Sequence, residues 1–254
     1  SAISGSWSVT YSGLATLFSD VANLLKTGGS TLSSAQFADL KNVAANLNNG
    51  VSTSAYLTSV TNSLVNGSAA NAKWTGGTST PVALGNLAVG SNATQMSELV
   101  GKWFLGTDLP NATVSIGGPS FTVTYSIQNS PLYAASGPSM ADINQGYLGD
   151  CYFLASLAEV AKQSPSAIQS MFVDNGNGTY GVRFFYNGMA QYVTVNSALA
   201  GGGSKFNKDP SALWASLAEK AYAQFQATYL ETGNSVNYGN SWSTILNSEF
   251  MGLI

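Results

Sequence analysis

The chain has 254 residues, 44% of them hydrophobic and only 8% charged, with a formal net charge of −3 and an acidic pI near 4.7. It is long enough for one large domain or two ordinary ones, no segment approaches the length of a membrane span, and the acidic balance argues against nucleic acid or an anionic membrane as a partner. The single cysteine excludes an internal disulfide and a Cys-cluster zinc site, and the absence of histidine excludes Ser-His-Asp triads, His-ligated zinc and a complete Cys-His-Asn site within these residues.

Residues 1–10 read as an extended lead-in without a signal peptide. Leu14, Leu17, Phe18, Val21, Leu24 and Leu25 then describe an amphipathic helix that stops at Gly28-Gly29. A second helix follows a capping box over Ser33–Gln36, carries Phe37, Leu40, Ala44 and Leu47, and stops at Asn49-Gly50. A third carries Tyr56, Leu57, Val60 and Leu64 and stops at Asn66-Gly67. A Gly/Ser/Thr-rich connection leads to a fourth with Met96, Leu99, Val100, Trp103 and Phe104. Four short helices between glycine turns predict a helical domain over residues 1–108. It serves as a structural subdomain, or as a cover or docking module for the C-terminal half.

Thr113–Ile116 and Phe121–Tyr125 alternate about Gly117-Gly118-Pro119, which predicts a β-hairpin linker over residues 109–130. In the remainder, residues 131–254, an apolar helical pattern begins at the cysteine and is stopped by Ser164-Pro165, with a short helical turn over Ala167–Met171. Asp174–Thr179 turns into Tyr180–Tyr186, and Asn187-Gly188 turns that run into Ala190–Val195, the strongest hairpin signal in the chain. Gly201-Gly202-Gly203 reads as a loop and not a phosphate cradle. A second long helix comes after Asp209-Pro210 over residues 211–226, and a last short helix covers Ser241–Phe250. The fold class read from these elements is α+β, mainly helical, with small β-hairpins.

The candidate chemistry sits in Gln145-Gly146-Tyr147-Leu148-Gly149-Asp150-Cys151-Tyr152-Phe153-Leu154. The loop delivers a thiol to the first turn of a buried helix, whose unpaired N–H groups favour an anionic nucleophile. Acyl transfer also needs donors for a developing oxyanion, and the Cys151 N–H and the Gln145 amide can supply them. A lone cysteine is more often a buried structural residue; the Gln-Gly-x-x-Gly-x-Cys context points instead to Cys151 as a nucleophile.

These residues resemble the active-site cysteine motif of calpains, a branch of the papain-like cysteine proteases. Asp142-Ile143 precedes the glutamine as in that family, and Leu213-Trp214-Ala215-Ser216-Leu217-Ala218-Glu219-Lys220-Ala221-Tyr222-Ala223 looks like the calpain helix Trp-x-x-Leu-x-Glu-Lys-Ala-Tyr-Ala. The resemblance covers roughly Ser130 to Ile254 and does not extend to residues 1 to about 105. Tyr152 stands where calpains carry tryptophan, and the stretch after Tyr229 departs from their glycine-rich substrate-binding segment.

The resemblance implies a thiol endopeptidase acting on protein or peptide substrates, with Cys151 as nucleophile and Gln145 in the oxyanion hole. It implies Ca²⁺ as cofactor, held by the carbonyls of Ala135 and Gly137 and the carboxylates of Asp142 and Glu219. The residues alone also fit plainer roles, Asp142 as a cap and Glu219 as a buried acid paired with Lys220 or a backbone group. The family's histidine and asparagine belong to a second subdomain, which would begin where this chain ends, so the chain by itself is expected to be inactive. The other reading is a non-catalytic binding or regulatory module on the same fold. A surface this poor in Lys and Glu suits an exported or cell-surface bacterial protein.

Overall fold

The structure, a computed structural model, describes residues 8–49, 52–114, 120–201, 207, 211–229 and 239–246. The expected lead-in before residue 8, the Asn49-Gly50 stop at its glycine, Gly117-Gly118-Pro119, Gly202-Gly203, Asp209-Pro210 and everything after Leu246 lie outside these residues. The fold is α+β and mainly helical, as its periodicities imply.

Helix α1 spans Tyr11–Gly28, with Thr10 accepting from Gly13 N at its start and Gly29 in the left-handed conformation (φ 56°, ψ 27°) at its end. Helix α2 spans Ser34–Ala45, and Ser33 and Gln36 close the reciprocal capping box that their spacing implies. It ends earlier than the apolar pattern suggests: Leu47 is buried but lies in the turn beyond the Asn46 cap. Helix α3 spans Ala55–Val65. The Gly/Ser/Thr-rich connection hides a short antiparallel pair, β1 (Lys73–Trp74) with β2 (Val82–Ala83), too brief to show alternation. Helix α4 (Ala93–Val100) then widens into a π-helical turn at Gly101–Leu105, which places both Trp103 and Phe104 fully inside.

The expected linker hairpin forms between β3 (Thr113–Val114) and β4 (Phe121–Thr122). The alternating run does not stay in it. Tyr125 opens a separate strand, β5 (Tyr125–Ile127), which pairs antiparallel with β9 (Ala198–Ala200) far along the chain. Helix α5 spans Cys151–Gln163, and α6 spans Pro165–Met171 with proline at its start. Next comes a three-stranded antiparallel sheet in the order β6 (Phe172–Asp174), β7 (Thr179–Tyr186), β8 (Met189–Asn196). Its hairpin pairs Tyr186 with Met189 around Asn187 (φ 50°) and Gly188 (φ 76°), the double positive φ of a type I′ turn. Helix α7 spans Trp214–Tyr229, starting three residues later than its pattern, and α8 spans Ser243–Leu246.

Two apolar cores result. One gathers Phe18, Leu25, Val60, Leu64, Met96, Leu99, Trp103 and Phe104 from α1, α3, α4 and the π-turn. The other gathers Phe153, Leu157, Val182, Phe184, Val193, Trp214, Leu217, Tyr222 and Phe225 from α5, α7 and one face of the sheet. The opposite sheet face carries Gly181, Tyr192 and Thr194, and the first core packs against it. There Tyr56 Oη shares a 2.9 Å hydrogen bond with Thr194 Oγ1, and Thr194 donates to the Trp103 carbonyl at 2.6 Å. Gly181 is required by contact rather than by φ, since a Cβ would sit 2.6 Å from the Tyr56 ring. The sheet is thus shared between the two halves, with the cysteine helix on the side away from the N-terminal helices.

Behind the π-turn, Lys102 and Asp108 form a buried ion pair, and Asp108 Oδ1 accepts from Thr75 N and Gly76 N at 2.7 and 3.0 Å. Asn240 Nδ2 donates to the Asp108 carbonyl, tying the chain's far end to this corner.

Candidate active site

The loop before the cysteine is anchored at both ends. Ser139 and Asp142 close a second capping box around a single 3₁₀ turn, with Ser139 N donating to Asp142 Oδ2 at 2.9 Å. The same oxygen accepts from Trp214 Nε1 of α7 at 2.6 Å. Asp142 therefore acts as the cap that its residue type allows. At the other end Leu148 is buried, and Gln145 Nε2 donates to the Leu148 carbonyl at 2.8 Å, folding the loop on itself. Gln145 and Tyr147 remain exposed.

Cys151 is the first residue of α5 and is exposed. Helix formation there follows from its apolar face: Phe153, Leu154, Leu157 and Ala161 are buried, and the Phe153 ring stacks on Tyr222 at 4.2 Å. Tyr152, in the variant position after the cysteine, uses its hydroxyl to bond the Ile245 carbonyl of α8 at 2.7 Å. The Asp150 carbonyl starts the helix by accepting from Phe153 N and Leu154 N, while its side chain makes no capping bond. The first-turn N–H groups are thus not taken up by the Asp150 carboxylate, the arrangement that stabilises an anion at a helix start.

That carboxylate points inward. Asp150 is fully buried and Glu219 nearly so, and the two face one another behind the cysteine. Burial pushes the Asp150 carboxyl up to about 6. Burial and the neighbouring Asp150 push Glu219 well above the usual carboxylate range. Glu219 Oε2 accepts from Asn207 N at 3.0 Å. The two carboxyls hydrogen-bond to each other, so a proton held by one serves both, and the Asp150 carboxyl also meets its own backbone N–H.

Glu219 therefore has a backbone partner and not Lys220. The next residue on a helix points elsewhere, and Lys220 Nζ donates to Asn196 O, Asn196 Oδ1 and Ala198 O at 2.9, 2.7 and 2.8 Å. Burial lowers its ammonium well below the usual lysine range.

Asn207, which no sequence pattern marks, joins these parts. It is buried; its side chain accepts from Asn144 N at 2.7 Å and donates to the Asp142 carbonyl at 3.1 Å, and its N–H reaches Glu219. Its only signal is a polar residue between a glycine run and Asp-Pro, a context typical of any loop.

Of the residues implied for calcium, Asp142 and Glu219 are linked through Asn207. Ala135 is exposed in a turn, and Gly137, two residues on, has φ 83°. Among the described residues no three acidic or cysteine side chains converge on one point. The donor chemistry fits a hard cation at Glu219 only in exchange for the proton it shares with Asp150. Asp142 already uses Oδ2 for two internal hydrogen bonds.

With Cys151 at the head of α5 and α7 behind it, the comparisons with known proteins fall on this half. The family described as calpain family cysteine protease matches residues 122–244. Residues 122–244 are calpain-like. Calpain-13 of Rattus norvegicus is 29% identical over 119 residues, covering 43% of this chain and 17% of its own length. The calpain-type cysteine protease ADL1 of Oryza sativa subsp. japonica is 33% identical over 112 residues, covering 41% and 5%. Calpain-A of Drosophila melanogaster is 27% identical over 114 residues, covering 41% and 14%. The chain thus spans a small fraction of the length of these relatives, and the helices of residues 8–105 lie outside the calpain-like region.

Proposed function

We propose that this chain carries the nucleophile-bearing part of a calpain-like cysteine endopeptidase. The observation that supports this most is the exposed Cys151 at the first position of α5, directly after the loop in which Gln145 donates to the Leu148 carbonyl. In this reading Cys151 Sγ attacks a peptide carbonyl and the Cys151 N–H binds the oxyanion. Gln145 contributes its second amide hydrogen, since a carboxamide nitrogen has two and only one is given to Leu148. The proton of the thiol and that of the leaving amine need a base and acid, and these 254 residues contain no histidine. A histidine-bearing partner segment supplies it, and this chain alone binds and does not turn over. Calcium dependence belongs to the same reading, with Glu219 offering a buried oxygen for the ion, which on binding would supply charge compensation and order beside the thiol.

The absence of histidine also favours a second reading, a non-catalytic module that recognises a protein partner through the same surface. One pair of measurements separates them. Iodoacetamide followed by intact mass should give a single adduct on folded Cys151, and a fluorogenic peptide should not be turned over until a histidine-bearing calpain segment is added. An unlabelled thiol in the folded chain, with labelling only in urea, refutes the nucleophile. Turnover by the chain alone, lost in Cys151→Ala, refutes the dependence on a second segment.

A further inference from the structure

The loop that carries Gln145 hangs between two acids, and both turn onto α7. At one end Asp142 Oδ2 accepts from Nε1 of Trp214, the first residue of that helix. At the other end stands Asp150, directly before Cys151. An aspartate in that position ordinarily caps the helix through its carboxylate. Asp150 does not. Its carbonyl starts α5 by accepting from Phe153 N and Leu154 N, and its fully buried carboxyl is hydrogen-bonded to that of Glu219 on α7. Burial favours the neutral form of both acids, so the pair keeps a proton between its oxygens, and Asn207 N holds Glu219 Oε2 at 3.0 Å. The other charges of these elements face elsewhere: Lys220 is taken by Asn196 and Ala198, and Glu159 and Lys162 are exposed farther along α5.

We propose that Asp150 is a positioning residue for the Cys151 thiol: its hydrogen bond to Glu219 pins the start of α5 to α7 and withholds the Asp150 side chain from the first-turn N–H groups. A capping carboxylate would occupy those groups and set a negative charge beside the thiolate that they stabilise. Turned inward, the same side chain fixes the helix start without doing either. The inference rests on the nucleophilic role of Cys151 proposed above.

The test is the rate of Cys151 alkylation by iodoacetamide against pH in the 254-residue chain, with folding followed by circular dichroism. The unaltered chain should show an apparent thiol pKa below about 8.5. Asp150→Asn and Glu219→Gln each replace the shared proton by an amide N–H that donates to the remaining carboxylate, at the same net charge, and should keep that profile. Asp150→Ser removes the carboxyl that meets Glu219 and leaves a hydroxyl that caps helices well. It should fold, raise the apparent pKa and slow alkylation at neutral pH about two- to fivefold. A profile in folded Asp150→Ser equal to that of the unaltered chain overturns the proposal. So does a shift of that size in Asp150→Asn or Glu219→Gln, a comparison that holds even where Asp150→Ser does not fold. A folded, unaltered chain whose thiol resists iodoacetamide refutes the nucleophile itself, whereas a reactive thiol indifferent to every substitution refutes only the role of Asp150.

Discussion

Gly29 and Gly106 offer a controlled test of how tightly the N-terminal helices press on the calpain-like sheet. Both end a helical segment in nearly the same left-handed conformation, φ 56°, ψ 27° at Gly29 and φ 61°, ψ 26° at Gly106. A Cβ at Gly29 would meet nothing within 4 Å. At Gly106 it would lie 2.7 Å from Val195 Cα and closer still to the Val195–Asn196 peptide, backbone that cannot swing away. Alanine at either site carries the same conformational cost, about 1–2 kcal/mol. At Gly106 overpacking adds about 1–3 kcal/mol. Gly106→Ala should therefore destabilise by about 2–5 kcal/mol and Gly29→Ala by about 1–2 kcal/mol. Equilibrium urea unfolding, with the slope checked for constancy between variants, measures both. Equal losses within about 0.5 kcal/mol would refute the close approach of the π-turn to β8, and with it the shared sheet.

Two further outcomes arise from the same packing. Burial raises the Tyr56 and Tyr125 phenols above the ordinary tyrosine value, so the folded chain holds protons that the unfolded chain releases above about pH 10. Stability is therefore full below that pH and falls as pH rises beyond it, by up to about 1.4 kcal/mol per pH unit for each tyrosine; Tyr56→Phe should flatten this alkaline slope and cost about 1 kcal/mol at neutral pH for the lost Thr194 bond, and an unchanged slope in alkaline urea titrations counts against its burial. Asn207→Ala removes the bonds to Asn144 N and the Asp142 carbonyl, which should cost about 1–3 kcal/mol and speed amide hydrogen exchange across residues 143–150, while exchange unchanged from the parent would show that the loop does not depend on Asn207.

Much of this architecture is legible without coordinates, because its determinants are local. The Ser33–Gln36 capping box, the Asn187-Gly188 turn, the proline that begins α6 and the apolar stripe of α5 each act within a few residues, and the chain adopts them where its residue types demand. The position of Cys151 at a helix start is legible for the same reason. What resisted reading was non-local. The run after Pro119 looks like one strand, yet Tyr125 leaves it to pair with Ala200, a choice made by a partner 75 residues away. The two-residue strands β1 and β2 are too short for alternation to register.

The site divides in the same way. Sequence alone placed the thiol and the amide on one loop and the acid on a second helix, since motif spacing carries that information. Only the tertiary structure decided where each acid points: Asp142 into its own cap and Trp214, Glu219 toward Asp150, and Lys220 to the carbonyls at the end of β8. Those directions are set by what three separate segments leave unsatisfied when they pack. A buried charge or hydrogen-bonding group must find its partner in space, and nothing in the linear order of residues states which one it will meet.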